Sequence, residues 1–300
     1  MHVFVTGASG WIGSAAVDEL LAAGHAVTGL ARSDASAAAL AAKGVTVLRG
    51  DLDDLASIRS GALVADAVLH LANKHDFTDP AVSNAAERGA VETIGEALVA
   101  TGKPFLLASG VAALTQGRAA TEEDPSPFHG PQSPRGGTES LALELVEQGV
   151  HSVALRFAPT VHGARDHGFV AALAGIAREK GVAGYIGDGT HRWAAVHRSD
   201  AARLIALALV GAPAGSRLHA VAEEGVPTRA IAEALGAALD LPVRSIDPDA
   251  APAHFGWIGG FFGMELSATS ERTRELLGWT PTGPSLVDDI AAGAYSTALV

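Results

Sequence analysis

Cysteine is absent from the 300 residues, which removes disulfides, thiolate metal ligands and a cysteine nucleophile together. Aromatic side chains make up only 5%, and just two are tyrosines, Tyr185 and Tyr295. Chemistry that needs a phenolic proton therefore has two places to find one. Basic residues are outnumbered 21 to 33, for a formal net charge of −12. A nucleic-acid partner, which calls for clustered Lys and Arg, is not expected. The longest unbroken apolar run, 204–210, falls far short of the roughly 20 residues that span a bilayer, so no membrane partner is expected. The chain opens directly on a strand-like run at 1–6, and a cytoplasmic protein is the expectation. No histidine spacing resembles a metal site, so no metal is expected.

What is present is strongly patterned. Short apolar runs at 3–6, 26–31, 45–49, 67–71, 105–109 and 152–157 read as buried parallel strands. Between them lie helical stretches at 11–23, 84–101 and 138–148, ending at Gly24, Gly102 and Gly149 as helix C-caps do. In the first, Ile12, Ala16 and Leu20 share a face. This alternation predicts a doubly wound parallel α/β sheet. It breaks near Gly163, and helices follow at 169–180, 200–210, 228–239 and from Ser285. The polar, Pro-containing stretch 121–135 reads as a loop over the sheet edge.

The most specific local feature is TGASGWIGS at 6–14, which spaces Gly7, Gly10 and Gly13 as G-x-x-G-x-x-G between a strand and a helix. Glycine permits the tight turn and lets the backbone touch a pyrophosphate, while the helix N-terminus offers free N–H groups and a favourable dipole. Ser9, Trp11 and Ile12 lie within the same turn. In strand–turn–helix context the pattern indicates a dinucleotide site.

These residues resemble the extended short-chain dehydrogenases/reductases, the family of NAD-dependent epimerases and dehydratases, along essentially the whole chain. Asp51-Leu52 resembles the family's adenine-contacting pair, and His70-Leu71-Ala72-Asn73 its H-L-A-x turn. The run from Leu155 and Arg156 through Phe157, Pro159, Val161 and His162 to Gly163 is similar to L-R-x-x-x-V-Y-G. Gly187-Asp188-Gly189, Val196-His197 with Asp200, and Leu277-Gly278-Trp279-Thr280-Pro281 are similar to its C-terminal signatures. The resemblance implies a Rossmann domain at 1–165, with 190–212 returning to it. A smaller, partly interleaved substrate domain takes up most of 166–300. It also implies a homodimer through helices near 84–101 and 138–148, and cofactor contacts from Leu71, Ala72, Asn73, Phe157, Pro159 and Val161.

Where an NAD enzyme places an acid at the end of the second strand, this chain has Ala31, then Arg32 and Ser33. Loss of the acid and gain of a cation point to NADP(H), whose 2′-phosphate Arg can bind bidentately. The family's Tyr-x-x-x-Lys relay is replaced: Arg135 stands for Tyr, Glu139 for Lys, Gly110 where the catalytic hydroxyl is most often found, and Glu87 for a common Asn. Arginine cannot donate a proton at neutral pH, though it can steady a developing oxyanion. A surface i,i+4 ion pair between Arg135 and Glu139 is the plainer alternative. Other candidates at the reacting centre are Ser109, His162 in the motif's Tyr position, and Tyr185. Trp193, Trp257 and Phe261, with Tyr185, are expected to wall an apolar substrate pocket.

The expected function is NADP(H)-dependent reduction of a small, largely apolar carbonyl, imine or activated alkene. Sugar-nucleotide epimerase or dehydratase chemistry and a non-catalytic NADP(H)-binding redox sensor are the alternatives.

Overall fold

The computed structural model describes residues 1–74 and 79–296. The apolar runs form β1 (His2–Thr6), β2 (Ala26–Ala31), β3 (Thr46–Arg49), β4 (Ala67–His70), β5 (Pro104–Gly110) and β6 (His151–Phe157). Successive side chains on a strand face opposite ways. Val3 and Val5 accordingly enter one core with helices Trp11–Ala22 and Arg198–Gly211. Phe4 enters the other, with helices Leu55–Val64 and Pro80–Leu98. Both faces are covered, which is why the strands read as continuous apolar runs.

Downstream come β7 (Thr160–His162), β8 (Ala183–Ile186), β9 (Arg192–His197), β10 (Arg217–Ala220), β11 (Glu223–Pro227) and β12 (Val243–Ile246). The main sheet has seven strands in the order β10-β6-β5-β4-β1-β2-β3, parallel throughout. This is a doubly wound Rossmann sheet. The chain returns to it through helix Arg198–Gly211, packed on Trp11–Ala22, and on to β10 at the edge. The strand order reverses direction between β1 and β4, the position where such sheets open a crevice for ligand.

A second core lies in the C-terminal half, between the three-stranded sheet β11-β9-β7, the parallel pair β12-β8 and helices Phe169–Lys180 and Thr228–Leu239. The family-like C-terminal signatures anchor the two halves. Asp200, buried in the first turn of helix Arg198–Gly211, accepts hydrogen bonds from the Thr282 and Gly283 N–H groups at 2.9 Å, and its carbonyl takes the Trp279 Nε1–H at 3.0 Å.

Two helices differ from the sequence reading. The one expected from residue 84 starts at Pro80, behind an Asp79 N-cap, and stops at Leu98. Ala100, at φ 57, takes the left-handed turn ahead of Gly102. The stretch 138–148 is an α-helix only over Thr138–Glu144 and tightens to a 3-10 helix over Leu145–Gln148.

Candidate active site

The glycine turn sits at the carboxyl end of β1, against β4. Gly7 has φ 71, and a Cβ there would lie 2.7 Å from the Ala72 nitrogen. A Cβ on Gly13 would lie 2.0 Å from the Gly7 carbonyl oxygen. Only bare backbone lets the turn and its helix close to this distance. Helix Trp11–Ala22 has Gly10 as N-cap and no side chain capping it, so its first N–H groups remain for a ligand. Ser9 is exposed, and Trp11 and Ile12 are half-buried. The Trp11 indole donates to the Val161 carbonyl at 2.7 Å, which joins the turn to β7. The Arg198 guanidinium lies 4.3 Å from the Trp11 ring centre and the His167 ring 5.7 Å from it.

The ends of β2 and β3 meet at one exposed corner. Arg32 and Ser33 are exposed beyond buried Ala31. Ser33 caps helix Asp34–Ala42 through a reciprocal bond with Ser36. Arg49, not singled out from sequence, turns onto the same corner from the end of β3. Asp51 uses one carboxylate oxygen to accept from the Asp53 and Asp54 N–H groups, and Leu52 is buried. At the end of β4, Ala72 N–H donates to the Thr6 hydroxyl at 3.3 Å and Asn73 donates to Glu87 at 2.6 Å. Phe157 is buried, while Pro159 and Val161 are partly exposed. A cradle that any Cβ would fill, an uncapped helix start and an exposed arginine fit a dinucleotide phosphate.

Arg135 and Glu139 are not partners. Arg135 has φ 55 and ψ 22, and Gly136 and Gly137 continue left-handed at φ 64 and φ 63. Three left-handed residues interrupt the winding, so Arg135 lies outside the helix that holds Glu139. Its guanidinium, about one third exposed, pairs with Glu87, which is buried in helix Pro80–Leu98 and also accepts from Asn73. Glu139, at 5% side-chain exposure, pairs with wholly buried Arg156 of β6 at 2.6 Å. The i,i+4 surface pair is thus replaced by two separate pairs, each with a buried member.

The Ser109 hydroxyl, at the end of β5, donates to Glu139 at 2.6 Å. Arg156 reaches His219, 3.3 Å away, and His219 Nδ1 lies 2.8 Å from the Thr269 carbonyl oxygen. Arginine only donates and a carbonyl only accepts, so this imidazole is neutral with its proton on Nδ1. Burial holds its pKa below the ordinary histidine value. At the end of β4, burial pushes the His70 pKa down to about 3, and the Arg135 charge adds to the effect. In the sequence Arg156 stands out only as part of a motif, and His219 does not stand out at all. The available signal was a charge inside an otherwise apolar strand, which has to find a buried counter-charge.

The remaining expected residues are scattered. His162 is wholly buried, with Nδ1 2.9 Å from Asp289 and its ring 5.4 Å from His197. Trp193 has no exposed surface; it packs in the second core on Phe262 and Phe169 and donates to the Phe261 carbonyl at 3.3 Å. Trp257 is 53% exposed and, with Phe261, packs around Phe169 at 5.8 and 5.5 Å between ring centres. Phe169 is two residues from His167, whose ring meets Trp11 beside the glycine turn. Tyr185 lies on β8 under the Arg229 guanidinium, 5.6 Å away. Tyr295 donates to Asp166 at 2.6 Å, and burial raises its pKa further.

A glycine cradle at the switch point of a parallel sheet, with a polar cluster at the next strand end, defines a dinucleotide-binding oxidoreductase fold. The chain belongs to the NAD dependent epimerase/dehydratase family, whose profile matches residues 3–219. It is 44% identical over 296 residues to Uncharacterized protein C2A9.02 of Schizosaccharomyces pombe, covering 98% of this chain and 100% of that one. It is 31% identical over 317 residues to the 3-diazoavenalumate denitrifying reductase of a Streptomyces species, covering 97% and 99% respectively. Among solved structures, the dTDP-glucose 4,6-dehydratase DesIV of Streptomyces venezuelae, with NAD and TYD bound, superposes with a TM-score of 0.78 at 22% identity. That match covers 98% of this chain and 96% of DesIV. Among the described residues no helix is long and apolar enough to cross a membrane.

Proposed function

We propose that the protein is an NADP(H)-dependent reductase of a small, largely apolar substrate, and that it favours a protonated C=N group over a ketone. The observation that carries this reading is the bond from the Ser109 hydroxyl to Glu139. A carboxylate held by Arg156 only accepts hydrogen bonds, so the one Ser109 proton is committed to it. The Ser109 oxygen then presents lone pairs to a substrate. A ketone oxygen needs a donor there; an iminium brings its own N–H. The bound cofactor would supply the hydride.

The chain's own residues bind and orient. Backbone at Gly7, Ser9, Gly10, Trp11, Ile12 and Gly13 holds the pyrophosphate, and Arg32 takes the 2′-phosphate. Asp51 and Leu52 hold the adenine, and Leu71, Ala72 and Asn73 line the ribose side. Phe157, Pro159 and Val161 bed the nicotinamide. Trp257 and Phe261, with Phe169, offer the apolar wall. We assign His162 and Trp193 to structural roles, since neither has surface to offer. The full-length similarity to a protein named a reductase supports reduction over epimerisation, as does replacement of the Tyr-x-x-x-Lys pair.

The test is NADPH oxidation with matched cyclic imines, ketones and enones, in the unmutated protein and in Ser109→Ala. Imine turnover exceeding ketone turnover is expected, with kcat lowered about a hundredfold in the variant, within the range of a lost polar catalytic contact. Tight NADPH binding with no turnover of any acceptor would overturn the reading in favour of a non-catalytic sensor.

A further inference from the structure

Ala31, the last residue of β2, pairs directly with Arg49, the last of β3. Arg49 folds back over that corner: one terminal nitrogen donates to the Ser33 carbonyl at 2.7 Å and the other to Asp34 at 2.9 Å. Ser33 thus has Arg32 as its chain neighbour and the Arg49 guanidinium on its carbonyl. The Ser33 hydroxyl is engaged with Ser36 in the helix cap, so the arginines are the cationic donors left at this corner. Arg32 makes no side-chain hydrogen bond or ion pair among the described residues. The Arg49 partner, Asp34, is fully solvent-exposed, and exposed pairs of this kind are weakly held.

Resting on the NADP(H) reading above, we infer that Arg49 is a second ligand of the cofactor's 2′-phosphate and that Asp34 is a placeholder for that phosphate. A phosphate monoester carries nearly two negative charges and three acceptor oxygens, and it matches the planar fork of arginine better than one solvated carboxylate does. When the phosphate arrives, Arg49 exchanges Asp34 for it. A cofactor without the phosphate leaves the pair closed and gains nothing from Arg49. Discrimination is thus divided between a free arginine and a paired one, and Asp34 sets how much the paired one contributes.

The experiment is calorimetric titration of the full chain with NADPH, NADH, 2′-AMP and 5′-AMP. Arg49→Ala is expected to weaken NADPH and 2′-AMP about tenfold while NADH and 5′-AMP stay within twofold. Asp34→Asn is expected to tighten NADPH and 2′-AMP severalfold and leave NADH unchanged. An unmutated protein that prefers NADPH, with a preference that survives Arg49→Ala, overturns the role of Arg49 alone. Unchanged NADPH affinity in Asp34→Asn overturns the placeholder, and weakened NADH in that variant shows instead that Asp34 holds ribose hydroxyls. Equal affinity of the unmutated protein for NADPH and NADH overturns the NADP(H) reading itself.

Discussion

Arg135 and Glu139 stand four residues apart and turn to different partners: the guanidinium closes on Glu87 and the carboxylate on Arg156. Glu87 belongs to helix Pro80–Leu98 and Arg156 to β6, so the segment between them is tied by charge to two different elements. Each pair has a nearly or wholly buried member, and each can be tested separately.

Removing one partner of a buried pair leaves an uncompensated charge, typically at a cost of 3–5 kcal/mol. Arg135 is about one third exposed, so water softens the loss. Arg135→Ala is expected to destabilise the protein by about 1–3 kcal/mol, and adding Glu87→Gln should recover most of it. Urea denaturation of the double-mutant cycle measures this, and an additive cycle would show that the pair is not coupled.

The glycine cradle makes a sharper prediction. Gly13→Ala puts a methyl group 2.0 Å from the Gly7 carbonyl and should abolish dinucleotide binding. Gly175, mid-helix in Phe169–Lys180 with nothing within 4 Å of a Cβ, is the control. Gly175→Ala should raise stability by about 0.5–1 kcal/mol and leave binding unchanged. Isothermal titration with NADPH alongside thermal melts separates the two. Retained affinity in Gly13→Ala would mean the turn is not where the pyrophosphate sits.

Acid sensitivity follows from His70. Its pKa is about 3 in the folded protein against about 6.5 unfolded. Above pH 6.5 the group is neutral in both states and has no effect. Between there and pH 3 the unfolded chain binds a proton that the native state refuses. Stability therefore falls with pH, by up to about 1.4 kcal/mol per unit for this one group. His70→Asn removes the linkage, so its unfolding free energy should depend on pH less steeply by about one proton between pH 6 and 4. Parallel curves for the two proteins would contradict the burial of a neutral imidazole.

The first half of the fold was legible because β1, β2, β4, β5 and β6 are largely buried and announce themselves as apolar runs, and because Gly7, Gly10 and Gly13 answer to local backbone geometry. Strands such as β7, β8 and β12 are short and partly exposed, and tertiary pairing rather than composition makes them strands. At the candidate site, sequence singled out Arg135 and Glu139 but offered a pair along the chain as the plainer alternative to a role at the reacting centre. Their real partners, Glu87 and Arg156, are 48 and 17 positions away, a relationship that no local period encodes. The helix that starts at Pro80 was missed by four residues although Asp79 and Pro80 are a strong start signal.

The left-handed run at 135–137 fixes how residues 135 and 139 face one another, so two substitutions alone would not build a tyrosine–lysine relay there. Placing Tyr at 135 and Lys at 139 would not put them in helical phase, because the intervening joint points them apart. Straightening the joint requires rewinding Gly136 and Gly137 out of their left-handed form. In the present geometry a Cβ on either would lie 2.7 Å from the Asn84 carbonyl or the Gly130 backbone. The joint is therefore packed tightly on helix Pro80–Leu98 and on the loop before Arg135, and both would have to shift with it. Each intermediate would carry a steric clash or an unpaired buried charge. Converting this site to a tyrosine–lysine relay would thus take several concerted substitutions rather than two.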